Sequence, residues 1–299
     1  MLPVNDPVRP RTGLDPISVD IVWQSPGDEL VTNDPWICAG HLPDALLLRP
    51  VFYEGRIIAY AANIAHLSDV GGRISAEVVD LFEEGLQIPP SRLYGRGQID
   101  QDLMNFIRAN SRTSSQVGKD LLARSSANRV AAQRLVEAMA EWLADLADLT
   151  DQVQWRTERA MRDTVRKLPA SSYRAEVWSG GYDHPLRVAV EVRIGDGEIE
   201  TDCTGTSAQV SRGFNSPFDL TYAYTVFPLR CALAPWLPMT GGALGPIRVV
   251  APEGTVINPR FPAPVLIRVV VVHAAVFQAL SPLVPERISP ALAVAHSGG

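Results

Sequence analysis

Residues 40–69 read GHLPDALLLRPVFYEGRIIAYAANIAHLSD. Two apolar, β-favouring runs, Ala45 to Phe52 and Arg56 to Ile64, flank Tyr53-Glu54-Gly55, and this pattern predicts a β-hairpin. At its two outer ends stand His41-Leu42-Pro43-Asp44 and His66-Leu67-Ser68-Asp69. Each is a His-Leu-x-Asp unit, and a hairpin brings its two outer ends together. Imidazole and carboxylate are ligands that suit zinc, manganese or iron. Pro43 argues against a helix in the first unit, and a turn still brings its His and Asp close. In the second unit a turn or a helical turn would place His66 beside Asp69. Two histidines and one or two carboxylates would then converge, with open positions for water or substrate. The alternative is a pair of turns whose Asp side chains bond backbone amides.

Outward from the hairpin, residues 1–27 read as a loose leader and 28–99 as a β-rich segment carrying the candidate metal site. Residues 100–169 read as helical, and 170–299 as a mixed, β-rich part of the same domain. The spacing predicts a short helix over Ser75 to Glu84, and extended chain at Ile88-Pro89-Pro90 because proline pushes its predecessor out of the helical region. Further helices are predicted over Asp100 to Asn110, Ser114 to Arg124 and about Ala127 to Leu168. The last carries Leu135, Met139, Trp142, Leu143 and Leu146 at helical spacing. A break is expected near Thr150-Asp151, where the threonine could cap a second helix. From Tyr173 the period is two. Leu186 to Val192 alternates, Gly195-Asp196-Gly197 turns, and Ile199 to Cys203 returns as a strand. Leu220 to Leu233 looks helical, and Pro246 to Ala251 looks like a strand. The fold class is α+β.

Composition narrows the function. Of 299 residues 46% are apolar and 20% charged, which suits a globular core. The net charge of -6, with no basic block, argues against nucleic acid as a partner. The three cysteines are far apart and contain no CxxC pair, so neither a zinc finger nor a disulfide framework is indicated, in keeping with a cytoplasmic location. The polar, proline-rich start has no apolar segment of a secretory signal. The apolar stretch from Val265 to Val284 is interrupted by Arg268, His273, Gln278 and Pro282, so it reads as buried core and not as a membrane span. Thr204-Gly205-Thr206-Ser207 resembles an anion-binding loop, but without a Walker pattern or GxGxxG there is no nucleotide site. His184 reads as a turn residue and His273 as a core residue. Cys38 reads as packing, and Asn33-Asp34-Pro35 as a turn whose carboxylate could orient a ligand histidine.

Several further stretches make a resemblance recognisable. Val31-Thr32-Asn33-Asp34-Pro35-Trp36 precedes Gly40-His41-Leu42-Pro43-Asp44. Pro50 to Gly55, Ala62 to His66 and Asp69-Val70-Gly71-Gly72 follow in order. Glu84 to Pro90, Asn110-Ser111-Arg112-Thr113, Asp202 to Ser207, Ala251-Pro252-Glu253-Gly254 and Asn258-Pro259-Arg260 complete a collinear series. Together they resemble the hydantoinase B/oxoprolinase family, which holds subunits of ATP-dependent hydantoinases, the C-terminal half of 5-oxoprolinase and the alpha subunits of acetone and acetophenone carboxylases.

The resemblance implies a divalent metal (zinc, manganese or iron) on His41, Asp44 and His66, with Asp69 and Asp34 as candidate catalytic or orienting carboxylates. It implies hydrolysis of a cyclic amide such as a hydantoin or 5-oxoproline, or alternatively carboxylation of a ketone. It implies a hetero-oligomer with a hydantoinase A-like ATPase subunit that uses the ATP. Departures from the family pattern also raise expectations. A helical segment after Leu14 to Asp20 and a long C-terminal region look missing. Val265 to Val272 stands where the family has a glycine-rich stretch. A truncated remnant, inactive alone, is therefore a third reading, and Leu266, Val270, Val272 and Phe277 are expected on an apolar face with no partner.

Overall fold

The computed structural model describes residues 25–38, 40–142, 146–267, 271–284 and 286. The predicted leader up to residue 24, Val270 and the tail from residue 287 lie outside the described residues.

The first unit is a five-stranded antiparallel sheet. Its strands are β1 (Glu29–Thr32), β2 (Asp44–Tyr53), β3 (Arg56–His66), β4 (Ser91–Gly95) and β5 (Gln98–Ile99), in the order β3-β2-β1-β4-β5. The β2–β3 hairpin turns where the sequence indicates. Glu54 and Gly55 both have positive φ, 48° and 76°, the backbone that a two-residue hairpin turn requires. Two helices cover this sheet. They are α2 (Gln101–Ala109), capped by Asp100, and the N-terminal half of α3 (Ser114–Trp142). Met104, Ile107, Val117 and Leu121 pack with Val31, Ala45, Leu47 and Leu93 into one core.

The second unit is a four-stranded sheet of β6 (Ser171–Ser179), β7 (Leu186–Gly195), β8 (Glu198–Asp202) and β9 (Ile247–Val250). The first three run antiparallel, and β9 joins β8 in parallel, as a crossover connection requires. Val188, Val190, Val192 and Ile194 point inward, against α4 (Leu146–Val165), α5 (Phe218–Leu233) and α7 (Val272–Leu280). The fold is α+β, with the predicted helical region 100–169 divided between two cores. Its first part belongs to the first sheet, and Met161 and Val165 belong to the second.

Four expectations are corrected. Only Leu81–Glu84 (α1) of the predicted 75–84 helix forms, because Asp80 caps it there and the Leu81 N–H goes to the Pro262 carbonyl. The predicted interruption around residues 125–126 is absent, since α3 runs through it. Ser125 turns its hydroxyl to Glu29 and Ser126 bonds back to Leu122, so neither competes for the helix. The helix α4 also runs without a break through Thr150-Asp151. Finally, Leu266 and Val272 are buried, at 7% and 1% exposure, and Phe277 is half-buried against the second core. The apolar face at the end of the described chain is covered by α5, β6 and β7.

Two contacts brace the loops near the hairpin. The buried Glu84 accepts the backbone N–H of Leu266, at 2.9 Å, and that of Val265. Gly40 sits at φ +81°, and a Cβ there would come within 2.9 Å of the Leu220 side chain on α5. Glycine is required by the backbone and by the neighbour together.

Candidate metal centre at the hairpin end

Asp44 is the first residue of β2 and His66 the last of β3, and the two are register partners. Immediately beyond them the Leu67 N–H donates to the Pro43 carbonyl at 2.7 Å, which closes the end of the hairpin. His41 precedes by one turn, closed by the Asp44 N–H on the His41 carbonyl at 3.2 Å. That turn lays the imidazole on the carboxylate, His41 Nδ1 to Asp44 Oδ2 at 3.0 Å. The His41 and His66 ring centroids are 5.2 Å apart. His41 is buried and His66 exposed, so the pair runs from the interior to the surface.

Both rings are fixed through Nδ1. A carbonyl only accepts, so His66 Nδ1, 2.9 Å from the Leu67 carbonyl, carries the proton, and its lone pair lies on Nε2. Asp44 does the same for His41. A carboxylate or carbonyl on one imidazole nitrogen is the arrangement that prepares the other nitrogen for a metal. Asp44 is thereby an orienting group first. Among the described residues no group of three or more His, Cys, Asp or Glu side chains is already gathered as a metal-holding cluster.

The second His-x-x-Asp unit does not copy the first. Asp69 bonds Arg112 and not His66. The Arg112 backbone N–H and guanidinium both reach its carboxylate, the latter at 2.8 Å. Burial acts to raise the Asp69 carboxyl, but the bonds from Arg112 and Ser111 and the guanidinium charge outweigh it and hold the group below the usual carboxylate range. Ser68 meets Thr113 at 2.7 Å, so the segment after His66 is pinned to the start of α3.

Asp34 shapes the preceding turn. Its carboxylate accepts the Trp36 N–H and the Gln87 amide, each at 2.9 Å, and burial leaves the carboxyl above its ordinary value despite both bonds. The Cys38 thiol bonds the Asp34 carbonyl at 3.2 Å. Beside it the fully buried Asn33 donates to the carbonyls of Leu42 and Leu86 and accepts the Ile88 N–H. Asn33 thus fastens the His41 loop to the 86–88 segment. The sequence marked Asn33 only as part of a turn, and its long-range bonds have no local signature. The Thr204–Ser207 loop is structural. Thr206 Oγ1 accepts the Ala189 N–H, Ser207 Oγ accepts the Arg187 N–H, and burial pushes the neighbouring Cys203 thiol up to about 12.

No helix among the described residues is long and apolar enough to cross a membrane. The chain is 32% identical over 286 residues to the B component of a putative D-/L-hydantoinase from Pseudomonas sp. (strain NS671), covering 88% of this chain and 48% of that protein. The ATP-dependent caprolactamase of Pseudomonas jessenii has the same fold, with a TM-score of 0.78 and 26% identity, over 88% of this chain and 48% of the other. A nucleotide-free acetone carboxylase structure aligns over 88% of this chain and 38% of its own, with a TM-score of 0.77. At 18% identity that likeness shows the fold alone. The chain spans 48% of the length of that hydantoinase component and 20% of the 5-oxoprolinase of Saccharomyces cerevisiae. The Hydantoinase B/oxoprolinase model matches residues 17–296, and the chain belongs to that family.

Proposed function

We propose that this chain is the hydantoinase B-like subunit of an ATP-dependent hydrolase acting on cyclic amides of the hydantoin or 5-oxoproline type, working in the cytosol with a hydantoinase A-like ATPase partner. The observation that carries the reading is the pair of imidazoles, 5.2 Å apart, each fixed through Nδ1. The donor chemistry fits a divalent ion such as zinc, manganese or iron, with His41 and His66 binding through Nε2 and Asp44 beside them as ligand or orienting group. When bound, such an ion supplies Lewis acidity and lowers the pKa of a water toward neutrality.

The residues of this chain then have separable tasks. Asp44 holds the proton on His41 Nδ1 and sets the ring. The Leu67 carbonyl does so for His66. Asp69, kept ionised by Arg112, fixes the turn behind His66. Asp34 shapes the turn before His41, its carboxylate accepting the Trp36 N–H and the Gln87 amide. ATP is used by the partner. The partner would phosphorylate the amide oxygen; water adding to that carbon gives a tetrahedral adduct from which the ring nitrogen leaves protonated, breaking the C–N bond and leaving an acyl phosphate, and a second water hydrolyses this to carboxylate and phosphate. This division agrees with the lack of any phosphate-binding glycine loop in the sequence.

The test is calorimetric titration of the purified chain with Zn2+ and Mn2+, then assay of hydantoin and 5-oxoproline ring opening with ATP and the partner subunit. Wild-type protein is expected to bind one ion and to support turnover, and His41→Ala and His66→Ala to lose both. Equal binding by all three proteins would overturn the assignment.

A further inference from the structure

Arg124 lies in the N-terminal half of α3, among ordinary helical neighbours. Its guanidinium reaches the hairpin from the helix side. Nη1 donates to the Ala65 carbonyl at 3.3 Å, and Nη2 donates to the carbonyls of Asn63, at 3.3 Å, and Ala45. Nε donates to Asn63 Oδ1 at 2.8 Å, and the Asn63 amide returns a bond to the Arg124 carbonyl at 3.1 Å. Ala45 and Ala65 are register partners, one step inside Asp44 and His66. One planar fork therefore grips both strands directly behind the candidate ligands, where a single ammonium point charge could not span the same acceptors.

A second set of bonds docks the same helix on the sheet nearby. The buried Glu29 takes Ser125, the next residue, together with Asn128 and Arg49; Asn128 also donates to the Leu47 carbonyl and accepts the Asn63 amide at 2.7 Å, so the two sets of bonds meet at Asn63. That network serves the middle of β2. Arg124 serves its end. On the opposite side of the Asp44–His66 pair stands the Leu67–Pro43 bond, so the pair is bracketed between two closures.

We infer that Arg124 is a positioning residue that sets the distance and alignment of Asp44 and His66 across β2 and β3. The consequence for metal binding rests on the reading of His41, Asp44 and His66 as a metal site. The geometric role does not.

The full chain is compared as wild type, Arg124→Gln, Arg124→Lys and Ser125→Ala. Four readouts are melting temperature, hydrogen exchange at the Leu67 amide, the nuclear Overhauser effect between the His41 and His66 ring protons, and calorimetric Zn2+ affinity. Arg124→Gln is expected to speed Leu67 exchange by roughly tenfold or more, to weaken the ring-to-ring signal and to lower Zn2+ affinity about 10–100-fold. Arg124→Lys is expected to fall between it and wild type, and it decides the matter if Arg124→Gln does not fold. Ser125→Ala is expected to lower the melting temperature while leaving the other three unchanged. Leu67 exchange and the ring signal matching those of Ser125→Ala would overturn the inference. Wild-type protein without Zn2+ affinity, but with Leu67 loosened in Arg124→Gln, removes the metal reading and leaves the role of Arg124 supported.

Discussion

His41 Nδ1 and Asp44 Oδ2 are 3.0 Å apart, and Asp44 faces His66 in the last register pair of the hairpin. One carboxylate thus pairs with the buried imidazole and lies across the ladder from the exposed one, with a charge that orients the first.

Replacing Asp44 by Asn keeps an acceptor for the His41 N–H and removes the charge. Affinity for Zn2+ or Mn2+ is expected to fall about 10–100-fold, in line with the loss of a carboxylate behind a ligating histidine. Folding should hardly change. Calorimetric titration beside a melting curve separates the two effects, and unchanged affinity would show that Asp44 does not act on the site through charge.

The two other carboxylates should respond to pH in opposite senses. Asp69 titrates below its ordinary value of 3.8 in the folded state, so its contribution is present above that value and lost as pH falls through the lower, folded one. Asp34 titrates above 3.8, so its ionisation costs stability as pH rises from 3.8 through the higher, folded value. Stability curves of Asp69→Asn and Asp34→Asn from pH 3 to 7 should therefore diverge from wild type in opposite directions. Parallel curves would contradict the assigned environments.

Gly40→Ala places a side chain on left-handed backbone against Leu220. A loss of about 1–2 kcal/mol is expected from the backbone alone, with more from the contact. Urea unfolding midpoints measure it. Because Gly40 adjoins His41, metal affinity should fall with it, and a fully stable variant would mean that the loop relaxes freely.

Glu84→Ala leaves the Val265 and Leu266 N–H groups without the acceptor that ties this segment to α1. The expected loss is about 1–3 kcal/mol for each buried donor left unsatisfied. Glu84→Gln, which keeps one acceptor oxygen, should recover part of it. A neutral Glu84→Ala in denaturant titration would mean that the 265–266 segment does not depend on this carboxylate.

What depends on near neighbours along the chain was legible before folding. The alternation of Leu186 to Val192, the turns at Glu54-Gly55 and Gly195-Asp196-Gly197, and the helix beginning near Asp100 are local consequences of side-chain direction and φ, and the elements follow them. That His41 and His66 would come to the same end of the hairpin, with Asp44 in register with His66, followed from hairpin pairing, in which register carries distant positions together. Other relationships needed the folded chain. Asp69 has the same spacing from its histidine as Asp44, yet it goes to Arg112, because the start of α3 offers a charge and an N–H that the hairpin end does not. The helical region reads as one block, but its parts pack on different sheets. Leu266 and Val272 look stranded in sequence and are buried by elements far from them along the chain. Nothing near Arg124 in the sequence distinguishes it from other helical arginines. Its role is set by which carbonyls the sheet leaves within its reach, and hydrogen-bond partners 59 and 79 residues away are fixed only when the helix docks.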